Sequence, residues 1–271
     1  MIAAEATPVW DCHVHLFGPF DRFPLDPARL YTPVAAPFEA LEAHLARIGA
    51  GNVVLVQPSP YGADHSCLID ALERLGARAR GVAAWSMHAA VPGHPRIAGL
   101  RVHVRALADP GVALAAAARA AAERGLHLEV QAGQNAFAAL AEALAAAPCR
   151  VVLDHLAGLG GAPPPELGRL FDTGRVWVKY AAPYRALGGF EAAVALARWI
   201  DGRFPGRLVW GSDWPHTPPH PASAGDRLRP AMFRAIDARD LVARMLAPFA
   251  PAARAAILGV TAETLYGAGP R

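Results

Sequence analysis

Short runs of β-branched and aliphatic residues recur along this chain about every 30 residues, each followed by a stretch with helical spacing. No other feature limits the available folds so strongly. The runs are residues 11–15, 52–57, 79–85, 99–104, 127–132, 150–155, 176–180 and 207–213. Helical spacing covers 38–49, 63–76, 113–125, 136–147, 165–173 and 190–204, with two further stretches at 230–246 and 252–266. Between 86 and 98 two prolines and the lack of an apolar stripe predict a short or missing helix. Strands this continuously apolar belong to a parallel sheet buried on both faces. Eight such units in 271 residues predict an α/β fold, a (β/α)8 TIM barrel forming a single domain over residues 1–271. A doubly wound open sheet is the alternative, but no Gly-x-Gly-x-x-Gly follows the first strand.

Composition removes several classes of function. A net charge of +3 without a basic block argues against nucleic-acid binding. No apolar run approaches the roughly 20 residues that span a bilayer, and residues 1–5 lack the pattern of a signal peptide. Cys12, Cys67 and Cys149 are odd in number and far apart, which fits neither a disulfide framework nor a zinc cluster, so a reducing cytoplasm is expected. The basic residues are almost all arginine, Lys179 being the single lysine. Residues 16–37 contain too many prolines for a helix or central strand, yet Phe17, Phe20, Phe23, Leu25, Leu30 and Tyr31 predict a packed lid.

In a barrel the chemistry collects at the carboxyl ends of the strands. Those ends carry His13 and His15, Gln57, Trp85, Arg101 with His103 and Arg105, Gln131, Asp154 with His155, Lys179 with Tyr180, and Asp213 before Trp214-Pro215-His216. Side chains two apart on a strand share a face, so His13 and His15 are expected to point into one pocket with Cys12 and Val14 behind. Paired imidazoles can hold a metal or polarise a substrate oxygen. Asp213, reached across the barrel from the last strand, can take a proton from water or ligate a metal.

His-x-His on strand 1, Asp-His on strand 6 and Gly-Ser-Asp-Trp-Pro-His at 211–216 together resemble the amidohydrolase superfamily. Within it the chain is most similar to the 2-pyrone-4,6-dicarboxylate lactonase group of TIM-barrel hydrolases. The similarity runs nearly end to end, through Asp-Cys-His-Val-His-Leu-Phe-Gly-Pro at 11–19, Leu-Asp-His at 153–155, Pro-Tyr-Arg at 183–185 and Thr-Ala-Glu-Thr-Leu-Tyr-Gly at 261–267. The resemblance implies catabolic, metal-independent hydrolysis of a lactone. Asp213 would activate water while His13, His15 and His155 polarise the carbonyl. Tyr31, Gln57, Arg101, Gln131, Lys179 and Arg185 would contact a carboxylate-bearing small molecule. No cofactor is expected, although His13, His15, His155 and Asp213 would serve as a zinc shell if a metal is bound. The partner is a small lactone or carboxylate, and the protein a monomer or small homo-oligomer.

Two departures from the lactonase pattern bear on substrate. No arginine follows His155, where the chain reads Leu156-Ala157-Gly158, and the second arginine beyond strand 4 is displaced to Arg105. Fewer arginines imply a substrate less charged than the pyrone dicarboxylate, such as a monocarboxylate lactone, sugar-acid lactone or muconolactone. Other readings are a metal-dependent hydrolase or decarboxylase, a lactone isomerase, a Schiff-base enzyme using Lys179, and a non-catalytic ligand-binding barrel.

Overall fold

The computed structural model describes residues 8–104, 107, 109–219 and 227–267. Eight strands lie in chain order in one sheet: β1 (Trp10–Val14), β2 (Asn52–Val56), β3 (Ala79–Ala84), β4 (Ile97–His103), β5 (His127–Gln131), β6 (Val151–Leu153), β7 (Val176–Ala181) and β8 (Leu208–Gly211). Every neighbouring pair is parallel. Helices α1 (Phe38–Ile48), α2 (Ser66–Leu75), α3 (Pro110–Ala122), α4 (Gln134–Ala145), α5 (Pro165–Asp172) and α6 (Gly189–Arg203) pack outside them. No helix joins β3 to β4, as the two prolines there predict.

The barrel closes between β8 and β1 just beyond β8's last residue. The Asp213 amide donates to the His13 carbonyl at 2.9 Å, and the His15 amide to the Trp214 carbonyl at 2.8 Å. Gly211 permits this approach, since a Cβ there would lie 2.6 Å from the His13 Cβ. The seam therefore seats three polar residues of distant sequence side by side.

Strict alternation fails on β1. Asp11 pairs with Val53 and Val14 with Leu55, so three steps on β1 match two on β2, a β-bulge. Val14 joins Val53, Leu55 and the helix residues Leu41 and Leu45 in the outer core. Cys12 joins the barrel interior with Val54, Val56, Val82, Val152 and Val209, not the layer behind the histidines expected from a two-residue period. The extra residue lets Cys12 and His13 both face inward while Asp11 turns out towards α1.

The other end of the barrel is plugged. Ala262, Leu265 and Tyr266 pack under the interior cluster, and Trp10 Nε1 donates to Glu263 Oε2 at 2.9 Å. The helix expected over 230–246 is shorter: α7 (Ala238–Leu246) begins where Asp237 caps it by accepting from the Arg239 and Asp240 amides. Residues Pro230–Ala231 instead pair in parallel with Thr32–Pro33. Helix α8 (Pro251–Ala255) passes into wider π turns through Gly267. The 16–37 segment is packed as expected, with Phe17, Phe23 and Tyr31 buried, although Leu30 is exposed. Among the described residues no helix is long and apolar enough to cross a membrane.

Candidate active site

A polar pocket lies at the carboxyl end of the strands. His15, Tyr31, Arg101, His103, Gln131, His155, Arg185 and Asp213 line it, with Pro58, Ser59 and Thr217 completing the wall. Seven of the ten residues predicted to form the site, the expected base Asp213 among them, are thus at the wall. The remaining three are placed differently. His13 and Lys179 are fully buried beneath it. Gln57 turns away, donating to the Gly62 and Asp64 carbonyls and meeting His65 Nδ1 and the Ala84 amide through Oε1, so it braces a loop instead of facing substrate. Arg105 lies outside the described residues.

Asp213 holds the centre. Its Oδ2 accepts from the Tyr184 hydroxyl at 2.8 Å and from Arg185 Nε at 3.2 Å. Its Oδ1 is buried without a hydrogen-bond partner and stands 3.7 Å from the Nε2 atoms of His13, His15 and His155. One oxygen is anchored and the other is available. Burial pushes this carboxyl's pKa up, but the Arg185 guanidinium, with help from the imidazoles, outweighs that and holds it well below the usual range. Asp213 adopts a left-handed backbone, φ 64°, which Asp tolerates better than most residues.

Hydrogen-bond direction assigns the imidazole tautomers. His15 Nδ1 lies 2.7 Å from the Val56 carbonyl, which only accepts, so Nδ1 carries the proton and Nε2 is the acceptor. Lys179 Nζ, which only donates, sits 3.2 Å from His13 Nδ1. Asp154 Oδ1 lies 3.3 Å from the same nitrogen, but the acceptor His15 Nε2, 3.3 Å from His13 Nε2, favours the His13 proton on Nε2. Burial, opposed by Asp154 and reinforced by Lys179, keeps His13 neutral.

Below the pocket lies a buried ionic layer that strand-end reading missed in part. Lys179 meets Glu129 at 2.5 Å, and Arg101 meets Asp154 at 2.7 Å. Two cations thus face two carboxylates in the barrel interior, all of them buried. Glu129 gave no signal in the sequence because it sits inside β5 in a pattern indistinguishable from a solvent-facing residue. Lys179 is enclosed and ion-paired, an arrangement suited to electrostatic support of His13.

His155 reaches the pocket by an unusual backbone. The strand expected over 150–155 stops at Leu153, and His155, Leu156 and Ala157 follow with φ of 49°, 54° and 57°. Left-handed non-glycine residues cost about 1–2 kcal/mol each, so surrounding packing must hold this turn. It points the His155 ring at Asp213 and places it edge-on to His13 at 4.6 Å between ring centres. Tyr184 and His216, also absent from the expected set, complete the cluster. Tyr184 contacts Asp213 directly, and its hydroxyl lies 3.4 Å from His216 Nδ1.

Burial lowers the pKa of His155 to about 4 and of His216 to about 4. An unfolded histidine titrates near 6.5. Between these values the unfolded chain binds more protons, so stability rises with pH across that window and is lost as pH falls through it. The depressed Asp213 and Asp154 carboxyls extend the loss further into acid. We expect the melting temperature to be nearly level from pH 8 to 7 and to fall steadily from about pH 6.5 to 4. A level profile down to pH 4.5, followed by differential scanning fluorimetry, would contradict the buried neutral histidines.

His13, His15 and Asp213 present donor atoms within 4.8 Å of one another, as do His13, Asp154 and His155. The His13 and His15 nitrogens beside the unpartnered Asp213 oxygen suit zinc in donor type and spacing, and His155 Nε2 stands 3.7 Å from the same oxygen. His13 would have to move its proton to Nδ1 to offer Nε2.

The sequence model of the amidohydrolase family matches residues 10–268. A 2-pyrone-4,6-dicarboxylate hydrolase from Comamonas testosteroni is 33% identical over 241 residues, covering 76% of each chain. A 4-sulfomuconolactone hydrolase from Rhizobium radiobacter is 29% identical over 230 residues, covering 77% of this chain and 76% of the relative. Among solved structures, a probable 2-pyrone-4,6-dicarboxylic acid hydrolase from Acinetobacter baumannii superposes with a TM-score of 0.75 at 20% identity, over 96% of this chain and 100% of that one. That likeness concerns the fold.

Proposed function

The chain belongs to the amidohydrolase family, and from that premise we propose that it hydrolyses the lactone ring of a small molecule bearing one carboxylate. The observation that carries the reading is Asp213 Oδ1, ionised, buried and unpartnered beside three imidazoles while its other oxygen is clamped. Water attacks the lactone carbonyl carbon as Asp213 Oδ1 takes one of its protons. The carbonyl oxygen becomes an oxyanion, held by the Arg185 guanidinium and by the His155 N–H at the wall. Collapse breaks the ring C–O bond, and the leaving oxygen recovers the proton from Asp213. Lys179 acts beneath, holding the His13 tautomer that in turn fixes His15.

The pocket wall carries two guanidinium groups, each paired with a buried carboxylate, Arg101 with Asp154 and Arg185 with Asp213. The described wall therefore holds no surplus of positive charge, and its few guanidinium N–H donors suit a ligand with one carboxylate better than one with two. Tyr31, Gln131, Ser59 and Thr217 add neutral hydrogen-bonding groups. The purified protein is therefore expected to open a monoanionic muconolactone-type or sugar-acid lactone with higher kcat/KM than 2-pyrone-4,6-dicarboxylate, measured by ring-opening absorbance. Faster turnover of the dicarboxylate would overturn the charge argument. Incorporation of labelled oxygen from water distinguishes hydrolysis from lactone isomerisation.

A second reading is favoured by the donor set. His13, His15, His155 and Asp213 would hold zinc, which when bound supplies Lewis-acid polarisation of the carbonyl. The metal-free form is our preferred reading, since the ionic layer already balances its charges and Lys179 lies against His13. Elemental analysis with activity before and after chelation separates the two.

A further inference from the structure

Asp11, the first residue of the His-x-His stretch, does not face the pocket. The bulge on β1 turns it outward, and it is fully buried between the barrel and α1. Its Oδ1 accepts from the Ser212 amide at 2.9 Å and from the His13 amide at 3.2 Å. Its Oδ2 lies 3.2 Å from Nε2 of His44, a buried histidine on α1. The same Nε2 lies 3.2 Å from Ser212 Oγ, which accepts from the Trp214 amide at 2.9 Å. The His44 ring also stacks on Trp214, 5.4 Å between centres and 25° between planes. These contacts converge on a single place: the seam where β8 meets β1, held by the Asp213–His13 and His15–Trp214 backbone bonds.

We propose that His44 is a positioning residue, acting with Asp11 and Ser212 as a lock that sets the distance between the β1 histidines and Asp213. The physical reason lies in how short the seam is. Two backbone hydrogen bonds alone join the strands there, and Gly211 removes the side chain that would otherwise space them. Asp11 binds the backbone on both sides at once, β1 through His13 and the β8 end through Ser212. His44 gives the second carboxylate oxygen its buried donor and ties Ser212 Oγ to the same point. A site whose working atoms lie 3.7 Å apart is sensitive to small displacements, since a misplacement of about 1 Å can cost 10²-fold in rate. His44 touches no pocket atom, so its influence passes through geometry.

The catalytic part of this inference rests on the proposed lactone hydrolysis, and the test keeps the two apart. His44→Phe preserves the stack on Trp214 and deletes the donor. His44→Gln restores an N–H near the position of Nε2. Amide hydrogen exchange, which needs no substrate, is expected to quicken at least about 10-fold at Asp213 and His15 in His44→Phe, with near wild-type rates in His44→Gln. On any lactone the wild type turns over, kcat should fall about 10- to 100-fold in the Phe variant with KM little changed, and recover in Gln. Wild-type exchange and kcat in a folded His44→Phe protein would overturn the lock. If that variant does not fold, Ser212→Ala decides: unchanged exchange at Asp213 and His15 overturns the proposal, faster exchange upholds it. A wild type inactive on every lactone but with exchange sensitive to His44 would sink the lactonase reading and leave the lock standing.

Discussion

Asp213→Asn is expected to reduce kcat by about 10²–10⁴-fold, the range over which a positioned general base contributes. Asparagine keeps the shape of the side chain and tolerates the left-handed backbone at this position, φ 64°. Its amide oxygen can still accept from Tyr184 and Arg185, the partners of Oδ2. What it loses is the second carboxylate oxygen, the buried atom that faces His13, His15 and His155 with no partner of its own. An amide nitrogen in that place donates where the reaction needs an acceptor. KM should change far less than kcat, because Arg101, Tyr31 and Gln131 line the pocket independently of this carboxylate. Steady-state kinetics on the best lactone of the wild type provide the measurement. A folded Asn variant retaining more than about a tenth of wild-type kcat would remove Asp213 from the role of base.

The second large effect concerns stability. Lys179→Met is expected to destabilise the fold by about 3–5 kcal/mol, the typical consequence of removing one partner from a buried ion pair. For a chain of this size that corresponds to a fall in Tm on the order of 10 °C. Lys179 and Glu129 are both fully buried at 2.5 Å, with Asp154 3.7 Å from the ammonium group. Without the lysine, Glu129 is left as an anion in the barrel interior, its nearest remaining charge being Arg101 at 3.7 Å. The double variant Lys179→Met with Glu129→Gln removes both charges and should recover most of the loss, since the penalty comes from an uncompensated charge. It should not recover activity, because His13 Nδ1 has lost the donor that fixes its tautomer. Thermal melts of the three proteins test the first statement and kcat the second. A single variant as stable as wild type would mean that the interior layer is wetter or more adaptable than its packing indicates.

Much of the architecture could be read from residue order, and the reason is visible in particular elements. Val53, Val54, Val56, Val176 and Val178 are buried strand residues whose β-branched side chains favour a packed sheet. Leu41 and Leu45 mark the inner face of α1, and Gly49 ends it with φ 72°. Pro230 belongs to a short parallel pairing with Thr32, because the helical pattern there was apolar spacing without a cap until Asp237. Arg101, His155 and Asp213 could be placed at the pocket because a barrel delivers strand ends to one rim, whereas Arg185 was implied only by the resemblance carried by Pro-Tyr-Arg. Gln57 was misplaced by the same rule, as the loop after β2 supplies its side chain with better partners than the pocket offers.

The chain's order of apolar runs and helical stretches was enough to determine eight strands, their parallel pairing and the rim on which polar groups collect. Those are consequences of local periodicity and of the short range over which successive elements pair. Which polar groups face one another was decided only in three dimensions. The bulge that puts Cys12 and His13 on the same side, the left-handed turn carrying His155 and the Asp11–His44–Ser212 contacts all depend on residues brought together from distant positions. A backbone departs from its local preference only where such tertiary contacts outweigh the local cost, and no window of sequence contains both sides of that balance.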